Sequence, residues 1–162
     1  MSDWEEEDED DIDLERFLAQ QDERVRGAKV SHYEQAVAEL SAGRKESHWM
    51  WFVFPQCDGV PEWNGRKPSE MTLWFGIAGL AEAEAYLADP VLGARLVRCF
   101  RLCLETGVTD ASTIFGPTDA GKLHACATLF SRVKGADPVF REALERFFEG
   151  KPCPATVALT GG

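Results

Sequence analysis

Arg44-Lys-Glu-Ser-His48-Trp-Met-Trp-Phe-Val-Phe-Pro-Gln56 packs more apolar area into fewer positions than any other run of the 162-residue chain. Trp49, Trp51, Phe52 and Phe54 can each bury roughly 150–250 Å², so the run is expected at the centre of a core. It follows no period of two or of 3.6, the mark of a segment covered on both faces, and at this length that leaves strand and helix open. Helical flanks tilt the reading towards helix, as does Pro55, which disfavours helical geometry at Phe54. Arg44, Lys45, His48 and Gln56 put polar chemistry at the edges of this aromatic slab.

Towards the N-terminus, Ser31 and Glu34 spell the S-x-x-E capping box. Behind it Tyr33, Ala36, Val37 and Leu40 repeat at helical spacing as far as Gly43. Asp13 is placed to cap an earlier helix carrying Leu14, Phe17 and Leu18, and residues 24–29 read as a connection.

Towards the C-terminus, residues 57–68 hold two prolines, two glycines and the turn pair Asn64-Gly65. They read as a surface loop without a regular element, a lid or an insertion bearing Trp63, Arg66 and Lys67. Ser69–Phe75 is a short helix stopped at Gly76, and Leu80, Ala83 and Leu87 mark the next. Asp89-Pro90 opens a long helix with Leu92, Leu96, Cys99 and Cys103 on one side. After a capped turn over residues 110–116, Thr118 or Asp119 caps a helix with the stripe Leu123, Cys126, Ala127 and Phe130. Asp137-Pro138 starts the last strong apolar face, Phe140, Leu144, Phe147 and Phe148, and residues 156–159 dock the C-terminus. The expected fold is all-α, a single compact domain over residues 13–160 with seven or eight short helices around the buried aromatic segment.

The net charge of −11 is unevenly spread. Residues 1–13 hold nine acids and no Lys or Arg, leaving 19 acids against 17 bases in the remainder. Residues 1–12 are therefore expected to form a disordered acidic tail, a solubilising extension or a contact for another protein. A near-neutral remainder without a dominant basic face argues against nucleic acid. No segment approaches the roughly 20 apolar residues of a membrane span, and an acidic N-terminus is unlike a signal peptide. Five cysteines without framework spacing suit a reducing cytoplasm.

Chemistry is sparse. Gly116-Pro-Thr-Asp-Ala-Gly121-Lys122 spells the glycine and lysine positions of a phosphate loop, but Leu123 stands where magnesium needs Ser or Thr, and no strand precedes it. Cys99, Cys103, His124 and Cys126 could be written as a metal set, yet they lack the C-x₂-C spacing of structural zinc and fall on apolar stripes. No metal and no cofactor are expected. Cys57, just past the aromatic run, is the one cysteine expected at the surface and hence reactive. His48 is most simply a core histidine bonded to backbone. It is also the candidate general base of a pocket in which Trp49 or Trp51 stacks a flat ligand while Arg44, Lys45 or Lys122 meets its negative group. Gln56 and Asp119 complete that candidate set.

The motifs together also resemble a known family. Ala42-Gly-Arg-Lys, His48-Trp-Met-Trp-Phe-Val-Phe-Pro-Gln56, Gly76-Ile77, Ala85-Tyr86-Leu87, Pro90-Val-Leu-Gly-Ala-Arg-Leu96, Ile114-Phe-Gly116, Asp119 with Lys122, Thr128-Leu-Phe130 and Phe147-Phe-Glu-Gly150 are similar to the bacterial domain of unknown function 1810. The resemblance spans residues 12–160 and implies an all-helical monomer with no established activity. Two readings of function follow. One is a domain binding a small anionic or nucleotide-like molecule, with or without turnover, at the edge of residues 44–56. The other is a non-catalytic helical module that binds another protein.

Overall fold

In the computed structural model, which describes residues 12–161, ten helices follow one another: α1 (Glu15–Asp22), α2 (His32–Ser41), α3 (Met50–Val53), α4 (Val60–Trp63), α5 (Glu70–Phe75), α6 (Leu80–Ala88), α7 (Leu92–Glu105), α8 (Ala111–Ser131), α9 (Val139–Phe148) and α10 (Pro154–Leu159). Among the described residues, extended pairing is confined to two isolated bridges, Arg24 with Ser31 and Cys57 with Ile77. The fold is all-α. Of the acidic tail expected over residues 1–12, residues 1–11 lie outside the described residues.

The aromatic run is the hub. Trp49, Met50, Phe52, Val53 and Phe54 are buried, and the run turns helical for the single turn of α3. Phe54 meets its partners on α7 and α8 edge to face, the geometry that sets positive ring edges on negative ring faces. Phe54 meets Phe100 of α7 at 5.1 Å and Phe115 of α8 at 5.7 Å, and Phe52 meets Phe75 of α5 at 5.4 Å, tilted by 53°. Phe100 passes the contact on to Phe140 of α9 at 5.1 Å. The α7 stripe of Leu92, Leu96, Cys99 and Cys103 and the α8 stripe of Leu123, Cys126, Ala127 and Phe130 are wholly inside.

Local sequence sets several helix starts. The capping box forms in full: the Glu34 N–H donates to Ser31 Oγ at 3.1 Å and the Ser31 N–H to Glu34 Oε1 at 2.9 Å. Asp89 Oδ1 accepts the Val91 and Leu92 N–H groups, and Asp137 Oδ1 accepts that of Val139. Asp13 behaves differently. Its carboxylate takes the Glu15 N–H at 3.1 Å, but Leu14, not Asp13, stands at the N-cap position of α1, and no side chain caps the helix there.

Three expectations are corrected. The helices number ten rather than seven or eight; the single turn α3 is the helix towards which the aromatic run tilts, and α4 is an addition. Residues 57–68 do contain a regular element: Pro61 falls in the first turn of α4, where its missing N–H leaves no bond unmade. The short turn over residues 110–116 and the helix after it are two helical stretches, as expected, parted by a kink at Gly116, where φ is 80° and ψ 161°; α8 names the pair. Asp119 is not a cap there; its carboxylate is engaged by lysines.

Candidate functional site

The path of residues 44–49 is dictated by a buried carboxylate. Glu39, on the last turn of α2, is 5% exposed. Its oxygens accept five hydrogen bonds: from Gln35 Nε2 at 2.7 Å, the Glu46 N–H at 2.7 Å, the Ser47 N–H at 2.9 Å, Ser47 Oγ at 2.5 Å and Trp49 Nε1 at 2.9 Å. Burial alone would push its pKa up. The donors from Gln35, Ser47 and the backbone of residues 46 and 47 outweigh it and hold the carboxyl at about 2. Glu39 thereby ties the loop to α2 and turns the Trp49 indole inward.

The loop delivers Lys45 to α8. The Lys45 N–H donates to the Ile114 carbonyl at 2.8 Å. Its ammonium lies 2.9 Å from Asp119 Oδ2, donates to the Ser47 carbonyl at 2.5 Å and stands 5.2 Å from the centre of the Trp49 ring. Asp119 Oδ1 takes Lys122 at 3.2 Å, and Lys122 Nζ in turn sits 4.9 Å over the Trp51 ring. Burial works upward on Asp119, but Lys45 and Lys122 together hold its carboxyl below the ordinary range. Five residues expected at the site, Lys45, Trp49, Trp51, Asp119 and Lys122, thus form one chain of contacts.

Their roles differ from those expected. Trp49 is fully buried with its N–H on Glu39, so it has no face for a ligand. Arg44 is exposed and is fixed through its backbone, its N–H donating to the Glu39 carbonyl at 3.0 Å. His48 is exposed rather than part of the core, and among the described residues its ring makes no hydrogen bond. The preceding latch turns Trp49 inward, and the neighbouring side chain is left outside. Among the described residues, neither the Arg44 nor the His48 side chain makes a hydrogen bond or ion pair with Lys45, Asp119 or Lys122.

Gln56 and Lys122 open onto a cleft of about 370 Å³ between the 56–69 segment, α8 and Cys153. Arg66 and Lys67 line it from the segment after α4, and Thr118, Gly121, Lys122 and His124 from α8. Asn64, Ser69, Thr72 and Gln56 add amides and hydroxyls, and no carboxylate belongs to the lining. Next to it, Trp51, Gln56, Thr72 and Lys122 enclose a smaller recess of about 10 Å³. His124 and the Arg66-Lys67 pair were not in the expected site; their clustering depends on how the 57–68 segment folds back, which spacing alone does not encode. The His124 ring stacks on Phe148 at 4.1 Å, and its Nε2 lies 2.7 Å from the Lys151 carbonyl. A carbonyl only accepts, so Nε2 carries the hydrogen and Nδ1 is the nitrogen left for other partners.

Other candidates fall away on geometry. Cys57 is 3% exposed rather than at the surface, because it pairs with Ile77 in the bridge. Burial, then the charge of Asp58, pushes its thiol up to about 11, away from the reactive range. Among the described residues no three His, Cys, Asp or Glu side chains gather at metal-binding distance. No described helix is long and apolar enough to cross a membrane. A larger groove of about 620 Å³ runs between α6, α7 and the α8–α9 connection, lined by Leu87, Val97, Val133 and Phe140 among others. It shares no residue with the aromatic run or with the cationic cleft, and the convergence of charged and polar groups favours the latter as the site.

The profile of a family described as "Protein of unknown function (DUF1810)" matches residues 11–160. The chain belongs to this family. A similar solved structure is that of the conserved hypothetical protein Rv1873 from Mycobacterium tuberculosis, 38% identical, covering 94% of this chain and 99% of that one with a TM-score of 0.82. A search of curated proteins finds no significant match. The likeness to that solved structure extends over the whole fold.

Proposed function

We propose that this DUF1810 protein binds a small anionic, nucleotide-like molecule in the cleft between the 56–69 segment and α8. The observation that carries the reading is the gathering of Arg66, Lys67, Lys122 and His124 around about 370 Å³ without a carboxylate among the lining residues. Lys122 already has Asp119 as counter-charge, whereas Arg66 and Lys67 meet no carboxylate in the lining, and cations brought to one partly enclosed space repel one another unless an anion joins them. The size falls in the range of roughly 300–1,000 Å³ usual for small-molecule pockets. Lys122 is the pivot, since Asp119 and the Trp51 ring hold its ammonium in place. His124 takes the part considered for His48: with Nε2 held by the Lys151 carbonyl, Nδ1 can exchange a proton with a bound substrate. A monomer in the cytoplasm suits five unpaired thiols.

Calorimetric titration with inorganic phosphate, a nucleoside monophosphate and a dicarboxylate tests this. Lys122→Met and the pair Arg66→Ala with Lys67→Ala are expected to weaken anion binding about tenfold or more, the scale of a lost charge-assisted contact, while His48→Gln leaves it unchanged. Absence of binding to every probe, or equal binding by all variants, overturns the proposal.

A second reading has its own support. Trp63 on α4 and Leu73 and Trp74 on α5 are 51%, 59% and 63% exposed, an apolar display suited to a protein partner. Retention of the same bound proteins by a Trp63→Ala, Trp74→Ala double variant would remove that support.

A further inference from the structure

Gly121 is the bare point on the cleft-facing side of α8. Thr118 lies one turn before it and Lys122 and His124 beside and beyond it, and all four line the cleft. A glycine inside a helix lowers its stability relative to alanine, so the position calls for a reason. Close packing does not supply one: a Cβ at Gly121 would have no neighbouring atom within 4 Å. The helix continues through it, with Gly116 the one non-helical residue of α8. What the missing side chain creates is open space in the cleft and a patch of exposed backbone that a ligand can approach closely.

We infer that the Gly121 turn is the floor on which a planar group lies, so that the ligand class is a phosphate joined to a flat ring, as in a nucleoside monophosphate. This rests on the anion-site reading above. The apolar part of the lining, Val60, Pro61 and Pro68, comes from the segment across the cleft from α8. A flat ring between that wall and the Gly121 backbone is covered on both faces while its phosphate reaches Arg66, Lys67 and Lys122. Amides at Gln56 and Asn64 meet the ring edge, where hydrogen bonds orient a planar ligand.

The test compares adenosine monophosphate with inorganic phosphate on wild type, Gly121→Leu and Lys122→Met. Wild type is expected to prefer the nucleotide by about tenfold or more, the range by which a filled pocket excludes a ligand. Gly121→Leu is expected to lose that preference, to keep phosphate binding within about twofold, and to melt roughly 2–4 °C higher because a better helix former replaces glycine. Lys122→Met is expected to weaken both probes. Gly121→Ala, a smaller change, is expected to reduce the preference in part. A preference retained in full by Gly121→Leu, or phosphate binding without any preference in wild type, overturns the floor assignment alone. Failure of wild type to bind either probe overturns the anion site and the floor together.

Discussion

Glu39 is the residue on which the loop entering the hub depends, and its consequences are testable. Replacing it by glutamine keeps the shape but turns an amide NH₂ towards groups that are themselves donors. Glu39→Gln is expected to cost about 2–3 kcal/mol in denaturant unfolding. Because the folded pKa, about 2, lies below the ordinary value of 4.5, the stabilisation is complete above pH 4.5 and is lost as the pH falls from there through about 2. Urea midpoints across that window should fall in wild type and stay flatter in Glu39→Gln. Asp119 separates fold from function in the opposite sense. Asp119→Asn loosens the nearly buried Lys45 and lowers stability by about 1–3 kcal/mol. It also releases Lys122 from its counter-charge, so phosphate affinity is expected to rise. At this scale the sequence disclosed the capping box, whose partners are three residues apart. The Glu39 cluster draws on donors four to ten residues away across a loop, and nothing in its spacing marks it.

Two glycines define how the elements fit, each for a different reason. At Gly116 the backbone of α8 takes a φ of 80°, which a side chain resists. Gly116→Ala is expected to lose about 1–2 kcal/mol and to disturb the Lys45–Ile114 backbone bond, visible as faster amide exchange at residue 45. At Gly93 a Cβ would fall 2.3 Å from the Leu87 carbonyl oxygen. Gly93→Ala must therefore push α6 from α7, and a melting-point drop larger than that of Gly116→Ala checks it. The long helices were legible because each buries one face against the hub, which imprints a stripe such as Leu92, Leu96, Cys99 and Cys103. The single turn α4 carries too few residues to show a period and reads as loop, whereas Gly116-Pro117, a pair that reads locally as a stop, does part the two stretches of α8.

For the molecule as a whole, charge sets a background against which the cleft operates. Removing residues 1–11 takes away eight acids and leaves 20 against 17 bases. Phosphate affinity of the shortened chain is expected to exceed that of the full chain severalfold at low ionic strength. The two should converge near 0.5 M salt, where the Debye length shrinks to about 4 Å. All five cysteines are free and buried, and burial lifts the thiols of Cys57 to about 11 and of Cys99 to about 12. A maleimide dye added to the native protein should thus leave Cys57 and Cys99 almost unreacted until the helices part. The chain carries its own clock for conformational opening, and labelling rates read with peptide resolution would reveal which helix leaves first without a single engineered change.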